Sequence, residues 1–211
     1  QKYKITLNSG KHGTVTVKPA LSEDGMIPQH THLTFTVTPE PGWKVSKWTG
    51  VEVWEDQIGY DVENNEVHLS VTEDVTVSVT MIEEGKADTT LLQIDSTGKL
   101  TGVTDKYRLE GSLVLPETVT AIGNKALADC TGLTSVIIPD SVTSIGYQAF
   151  YRCTGLTGVT IGNNVTEIDE GAFSGCSNLM SITIPDSVAR IGDRAFYDCK
   201  SLTSVTIGKG V

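Results

Sequence analysis

The sequence predicts a small all-β domain followed by a solenoid of short parallel strands and short helical turns. Three observations predict this fold class. The first eighty residues alternate β-branched and polar side chains, the second half repeats its apolar residues every 23 positions, and glycine is plentiful while aromatics make up only 6%. We place the all-β domain at residues 1–82, a linker at 83–90 and the solenoid at 91–211, the latter including an atypical N-terminal cap.

The first domain contains several segments that read as strands. The segments "YKITL", "GTVTVKP", "HLTFTVTPE" and "DVTVSVTMI" are rich in threonine and valine, and clusters of Gly, Pro, Asn or Asp separate them. The following stretch, "EEGKAD", is charged and has no apolar period, which is typical of a linker.

The 23-residue period defines the second domain. Alignment of the repeats places apolar residues in common columns; one column is Ile122, Ile145, Ile168 and Ile191, another is Leu127, Phe150, Phe173 and Phe196, and a third is Leu133, Leu156, Leu179 and Leu202. One unit alone cannot bury these columns, so successive coils must stack and share a continuous core.

Each unit has a strand, a corner and a second segment. In "LTSVTI" the alternation predicts a strand with Val205 and Ile207 facing inward, and Pro or Gly follows each such strand. In "IGYQAFYRC" the spacing of Ile145, Ala149 and Cys153 predicts a short helix or helical turn on the opposite side.

The four cysteines fall in one inward column. They are Cys130, Cys153, Cys176 and Cys199, and we expect free, buried thiols that act as small hydrophobes. Disulfides are the alternative for a secreted protein, but parallel Cβ vectors one rung apart do not meet the geometry of a bridge. A straight column is also unsuited to wrapping four ligands around a zinc ion.

The repeat resembles a known family. The pattern "L..V.IP.SVT.IG..AF..C..L", present at 133–156 and 179–202, is similar to the BspA-like leucine-rich repeat. Departures are Leu127 in place of Phe and Asp169 in place of Gly, and "LLQIDSTGKLTGV" fits the period poorly, as a capping turn would. The resemblance implies a bacterial or protist surface protein that serves adhesion and ligand recognition.

The first domain resembles the divergent internalin-type B-repeat, a module of bacterial surface proteins. The resemblance rests on Gly13, Gly42, Trp43, Trp48 and the closing strand at 74–76. It implies that both tryptophans are core residues, with sugar stacking as the alternative. The insert at 52–67 is peculiar to this chain.

Few residues offer chemistry. His30 and His32 could share a metal with Glu23 or Asp24, although a solvated loop is the plainer interpretation. No nucleophile-base arrangement can be assembled, and we expect neither an enzyme nor a cofactor. The net charge of −10 argues against nucleic acid and membrane surfaces, and no apolar stretch is long enough to span a bilayer.

The resemblance to these surface-protein repeats implies a non-catalytic, extracellular adhesion or protein-binding module, attached to the cell surface or secreted. The expected partner is a surface protein of a host or neighbouring cell, or a matrix protein. A carbohydrate-binding surface protein and a purely structural stalk are the alternatives. Because "VTIGKGV" ends without a capping turn, we also expect a longer natural protein or a second copy over that end.

Two faces compete as the binding surface. The helical side offers aromatic and charged residues of the kinds enriched at binding hot spots: Tyr147, Tyr151, Arg152, Arg194, Tyr197 and Asp198. Trp54, in an acidic stretch, is the best single candidate for an exposed aromatic contact, with packing as its alternative role. The outward sheet face instead offers short, mostly hydroxyl side chains, such as Ser135, Thr160 and Thr183. Between the two we favour the tyrosine and arginine side.

Overall fold

The computed structural model of the protein describes residues 1–51 and 65–211. The chain divides into two compact units, Gln1–Glu84 and Gly85–Val211. Trp54 lies outside the described residues, as do most residues of the 52–67 insert.

The first unit contains seven strands among its described residues: β1 Lys2–Asn8, β2 Gly13–Lys18, β3 Met26–Pro28, β4 His32–Pro39, β5 Trp43–Thr49, β6 Glu66–Ser70 and β7 Val75–Glu83. They form one sheet in the order β3-β1-β7-β5 and a second in the order β2-β4-β6. The predicted alternation holds in β4, where Leu33, Phe35 and Val37 are buried and the residues between them are not. Residues from both sheets, including Ile5, Leu33 and Val77, share one core, so this unit is an all-β domain.

The two tryptophans of the first unit differ in their surroundings. Trp48 packs against the core, and its ring centroid lies 6.5 Å from that of Phe35, as predicted for a core residue. Trp43 is only half-buried and stacks on the ring of His12, with centroids 3.7 Å apart. The core assignment of Trp43 is therefore wrong, because its ring stacks on a histidine that immediately precedes β2.

The second unit is built from two parallel ladders of short strands. The first solenoid sheet contains β10 Gly111–Val114, β12 Leu133–Ile137, β14 Gly158–Thr160, β16 Ser181–Ile184 and β18 Ser204–Ile207. The second contains β8 Leu92–Ile94, β9 Lys99–Val103, β11 Ala121–Ile122, β13 Ser144–Ile145, β15 Glu167–Ile168 and β17 Arg190–Ile191. The register follows the 23-residue period: Val136 pairs with Val159, and Ile145 pairs with Ile168. The first solenoid sheet is predicted from the sequence. The second sheet was not predicted.

The solenoid begins with an irregular turn. After a 3-10 turn at Thr89–Leu91, β8 and β9 pair antiparallel, and β9 then pairs in parallel with β11 of the first full coil. Ala87 is buried in the solenoid core, and its amide donates to the carbonyl of Ser112 over 2.9 Å. The antiparallel pair covers the side of the solenoid that β11 would otherwise leave open.

The inward columns form one continuous core. The isoleucine column lies in the second sheet, and Ile122, Ile145 and Ile168 are almost completely buried. Phenylalanine rings stack from coil to coil, with centroids 4.9 Å apart for Phe150 and Phe173 and nearly parallel planes. The stacked solenoid predicted from the repeat is confirmed.

The predicted helical turn is wrong in its backbone conformation. Gln148 and Arg152 have φ of 51° and 57°, in the left-handed region, which ends any α-helix. Amides alternate in their partners: Ala149 donates within its own turn to Gly146, whereas Phe150 donates to Ala172 of the next coil, over 2.7 Å. In a helix all of these hydrogen bonds would lie within one coil. Here every second amide instead donates to the neighbouring coil, so the turns extend the hydrogen bonding between coils and are not helical.

The cysteine column is confirmed as free thiols. Cys130, Cys153 and Cys176 are fully buried, and Cys199 is half-buried on the last coil. Burial raises the pKa of Cys130 to about 11 and that of Cys176 to about 12, since a thiolate there would lose its hydration.

Candidate functional site

The candidate site lies on the turn segments that follow the second solenoid sheet. We call this surface the turn face and define it by residues 124–129, 147–152, 170–175 and 193–198. In each turn the small and aromatic residues at the centre point into the core, as Ala149 and Phe150 do. The left-handed residues at either side carry exposed or half-buried side chains, so the turns present a regular outer surface.

Tyr147 is the first residue of the second segment of the turn face, 147–152. Its side chain is half-buried, and its amide donates to Oδ1 of Asn124 on the preceding coil over 3.1 Å. Nζ of Lys125 lies 5.8 Å from the centroid of its ring, within the range of a cation–π contact. Tyr147 therefore stands beside a lysine, on a backbone fixed by the neighbouring coil.

Tyr151 and Arg152 lie on one coil, and Tyr197 lies two coils further along the solenoid. The amide of Arg152 donates to the carbonyl of Ser174 over 2.9 Å, and the amide of Gly175 donates to that of Tyr197 over 2.8 Å. The coil of Ser174 therefore lies between those of the two tyrosines. At the spacing of parallel strands, the backbones of Tyr151 and Tyr197 are roughly 10 Å apart. The guanidinium carbon of Arg152 lies 5.6 Å from the ring centroid of Tyr151. The side chain of Tyr197 is 65% exposed.

Arg194 and Asp198 occupy the last described turn. Both are exposed and both adopt left-handed backbone, with φ of 55° and 58°. Oδ1 of Asp198 lies 3.7 Å from Nζ of Lys200, an exposed ion pair. All six residues of the predicted surface that the structure describes therefore belong to the turn face.

The sheet face is the rival surface. Its outward hydroxyls are partly satisfied among themselves, since Oγ of Ser135 donates to Oγ of Ser112 over 2.8 Å. The first two coils also expose Val114 and Ile137 to 47% and 43%, so this face is not uniformly hydroxyl-lined. Apart from these two aliphatic side chains, its outward residues are mostly short and hydroxyl-bearing.

A groove continues the turn face towards the cap, and sequence reasoning missed it. It has a volume of about 420 Å³, and its lining residues are Gly102, Val103, Thr104, Asp105, Lys106, Tyr107, Lys125, Ala126 and Ala128. Nζ of Lys106 lies 3.5 Å from Oδ2 of Asp129 and 5.4 Å from the ring centroid of Tyr107. One signal was available: Lys106 stands one period before Asp129, so the charged column of the turn face begins within the cap.

The predicted metal candidates do not form a cluster. His30 has a left-handed backbone with φ of 62° in the loop before β4, and His32 is exposed at the start of that strand. Within residues 1–51 and 65–211, no three His, Cys, Asp or Glu side chains are placed to hold a metal ion. In the same described part of the chain, no helix has the length and apolar composition needed to cross a membrane.

Sequence families match both units. The divergent InlB B-repeat domain matches residues 3–81, and the BspA-type leucine-rich repeat region matches residues 107–211 in six copies. A search of curated proteins found no match.

Solved structures match the repeat half. A leucine-rich repeat protein from Bacteroides capillosus is 33% identical over 55% of this chain and 91% of its own, with a TM-score of 0.49. A leucine rich cell surface protein from Faecalibacterium prausnitzii is 28% identical over 55% of this chain and 37% of its own, with a TM-score of 0.49. The pneumococcal vaccine antigen PcpA shares the fold, with a TM-score of 0.54 and 20% identity, over 57% of this chain and 30% of its own.

The 23-residue repeat pattern and the stacked coils agree with the family match. The chain belongs to the BspA-type leucine-rich repeat proteins and carries a divergent InlB B-repeat domain ahead of its repeats.

Proposed function

We propose that the chain is a non-catalytic adhesion module of a bacterial cell surface, which binds a protein partner through the turn face. The partner is a surface protein of a host or neighbouring cell, or a protein of the extracellular matrix. Membership of the BspA-type repeat family supports the binding role and the surface location.

One observation carries the choice of surface. Tyr151 and Arg152 project from one coil and Tyr197 from the next coil but one, and backbone hydrogen bonds through Ser174 and Gly175 join all three coils. Binding therefore orders only side chains, which lowers the entropic cost of association. Tyrosine and arginine are also the residue types that most often dominate binding energy at interfaces.

The sheet face supports this assignment less well. Its short hydroxyl side chains bury little area each, and part of their hydrogen-bonding capacity is already used, as between Ser112 and Ser135. Its exposed Val114 and Ile137 are aliphatic, and its outward strand positions carry no tyrosine, tryptophan or arginine, the residue types that most often anchor tight protein interfaces.

The class of partner is tested by two parallel screens of the full chain. Immobilised protein is presented with a panel of purified extracellular-matrix proteins and, separately, with a glycan array. The proposal expects saturable binding to at least one matrix protein, abolished by pre-incubation with excess soluble chain. Binding only to glycans would make the chain a carbohydrate-binding protein, and binding to neither would favour a structural stalk.

A further inference from the structure

We propose that the groove beside the cap binds a carboxylate-bearing sugar at the end of an acidic glycan. The groove shares Lys125 with the first segment of the turn face, but it includes none of Tyr151, Arg152 and Tyr197 and does not depend on the proposed protein binding. Its lining comes from β9, the irregular loop after it and the first full turn.

The size of the groove fits a small sugar. Its volume of about 420 Å³ lies within the range of about 300–1,000 Å³ that ligand pockets occupy. Tyr107 stands at the rim with 79% of its side chain exposed. Contact between the apolar face of this ring and water is unfavourable. The C–H face of a pyranose ring can cover the tyrosine ring while the hydroxyl groups of the sugar stay in water.

The charges of the groove select an anion. Lys106 and Lys125 both line it, in a chain whose net charge is −10. Lys106 already faces Asp129, but among the described residues no carboxylate forms an ion pair with Lys125, whose Nζ lies 5.8 Å from the ring centroid of Tyr147. A ligand carboxylate placed between the two ammonium groups would accept charge-assisted hydrogen bonds.

A carboxylate of the protein distinguishes a sugar from a simple anion. Asp105 also lines the groove, and its Oδ1 accepts hydrogen bonds from the amides of Tyr107 and Arg108, over 3.0 and 3.2 Å. Its second oxygen can accept hydroxyl donors but would repel phosphate or sulfate. A ligand that combines a carboxylate with hydroxyl groups suits both lysines and Asp105, whereas a compact anion suits only the lysines.

The experiment is calorimetric titration of the full chain with a galacturonic acid trisaccharide. The matched probes are the same trisaccharide with its carboxyl groups reduced to alcohols, a tri-glutamate peptide and inorganic phosphate. We expect the acidic trisaccharide to bind and its reduced form to bind at least about tenfold more weakly, because charge-assisted bonds are lost. Binding of the acidic form should also weaken as salt rises.

Variants then locate the site. Lys106→Gln and Lys125→Gln should each weaken binding about tenfold; glutamine suits position 125 because Gln148 adopts the same left-handed backbone one coil later. Tyr107→Ala should weaken binding, and Tyr107→Phe should preserve it because the ring face remains. Lys209→Gln, an exposed lysine on the last coil, should leave binding unchanged.

Three results would overturn the proposal. Equal or tighter binding of tri-glutamate would make the groove a site for acidic peptides, and equal binding of phosphate would make it a simple anion site. No binding of the acidic trisaccharide, with the chain folded by circular dichroism, would remove the site altogether. A variant altered at Tyr151 and Tyr197 should keep its trisaccharide binding, so the two proposals can fail separately.

Discussion

The thiol of Cys153 donates a hydrogen bond to the backbone carbonyl of Leu127 on the preceding coil, with Sγ and O 3.1 Å apart. The same contact recurs from Cys176 to Phe150 and from Cys199 to Phe173, each over 3.2 Å. The carbonyl of Leu127 also accepts from the amide of Cys130 over 3.3 Å, so the thiol is its second donor. The cysteine column therefore fills the core and links neighbouring coils at the same time.

Replacement of Cys153 by alanine should lower the free energy of unfolding by about 1 to 2 kcal/mol, since a buried sulfur and its hydrogen bond are both lost. Cys199→Ala is the matched control, because its thiol makes the same contact on a half-buried coil. Cys199→Ala should lower the free energy of unfolding by less than Cys153→Ala does. Denaturant titration of both variants measures this, and an equal or greater loss at Cys199 would contradict the packing role.

Thiol labelling should follow burial. A short pulse of iodoacetamide on native protein should modify Cys199 first and leave Cys130, Cys153 and Cys176 almost unlabelled, because only the last coil exposes its thiol. In a separate sample that has not been labelled, unfolding without reductant should expose four reactive thiols. Mass spectrometry of the digests measures both, and fewer than four after unfolding would mean that some cysteines are bridged.

Stability should fall at alkaline pH. The pKa of Cys130 is raised by burial to about 11, whereas an unfolded thiol titrates near about 8.5. Below that lower value both states hold the proton and the contribution is fully present. Between about 8.5 and 11 the unfolded chain loses its proton while the folded chain keeps it, so stability declines with rising pH.

The comparison for this pH effect is Cys130→Ala. Its free energy of unfolding should decline less steeply than that of the unaltered chain between pH 8 and pH 10.5. All other titrating groups are present in both proteins, so the difference in slope reports the thiol at position 130. Parallel slopes would show that the Cys130 thiol does not contribute.

The corner at Gly162 should not tolerate an alanine. A Cβ at position 162 would lie 2.4 Å from the carbonyl oxygen of Pro139 on the preceding coil, so Gly162→Ala must displace backbone. We expect a loss of about 1 to 3 kcal/mol. Gly158→Ala is the control, because a Cβ there meets nothing within 4 Å, and it should be neutral or slightly stabilising. The midpoints of thermal unfolding of the two variants test this. Similar midpoints for Gly162→Ala and Gly158→Ala would contradict the close approach of neighbouring coils at Gly162.

The solenoid could be predicted from the sequence because many apolar columns recur at the same 23-residue spacing. Ile145, Phe150 and Cys153 are buried as their columns require. The conformation of the turns was missed because Ile145, Ala149 and Cys153 have a spacing that also suits a helix. Gly171 and Gly175 mark the left-handed columns in one repeat and are the signal that could have shown it.

The candidate surface was predicted in part. Tyr151, Arg152 and Tyr197 share a column or neighbouring columns, so the period alone places them on one face. The groove could not be found this way, because Asp105 and Tyr107 lie in the cap region, where the repeat is weak. Trp43 was misplaced because family resemblance gives a residue type but not its stacking partner, His12.

The most direct test of the turn face compares two multiple variants for binding to the matrix protein found in the screen. The turn-face variant combines Tyr151→Ala, Arg152→Asn and Tyr197→Ala; asparagine replaces Arg152 because φ there is 57° and asparagine tolerates left-handed backbone. The sheet-face variant combines Thr160→Lys and Thr183→Lys. Surface plasmon resonance should show at least about a tenfold loss of affinity for the turn-face variant, unchanged affinity for the sheet-face variant, and melting temperatures close to that of the unaltered chain. Full affinity in the turn-face variant with loss in the sheet-face variant would contradict the account and assign recognition to the sheet.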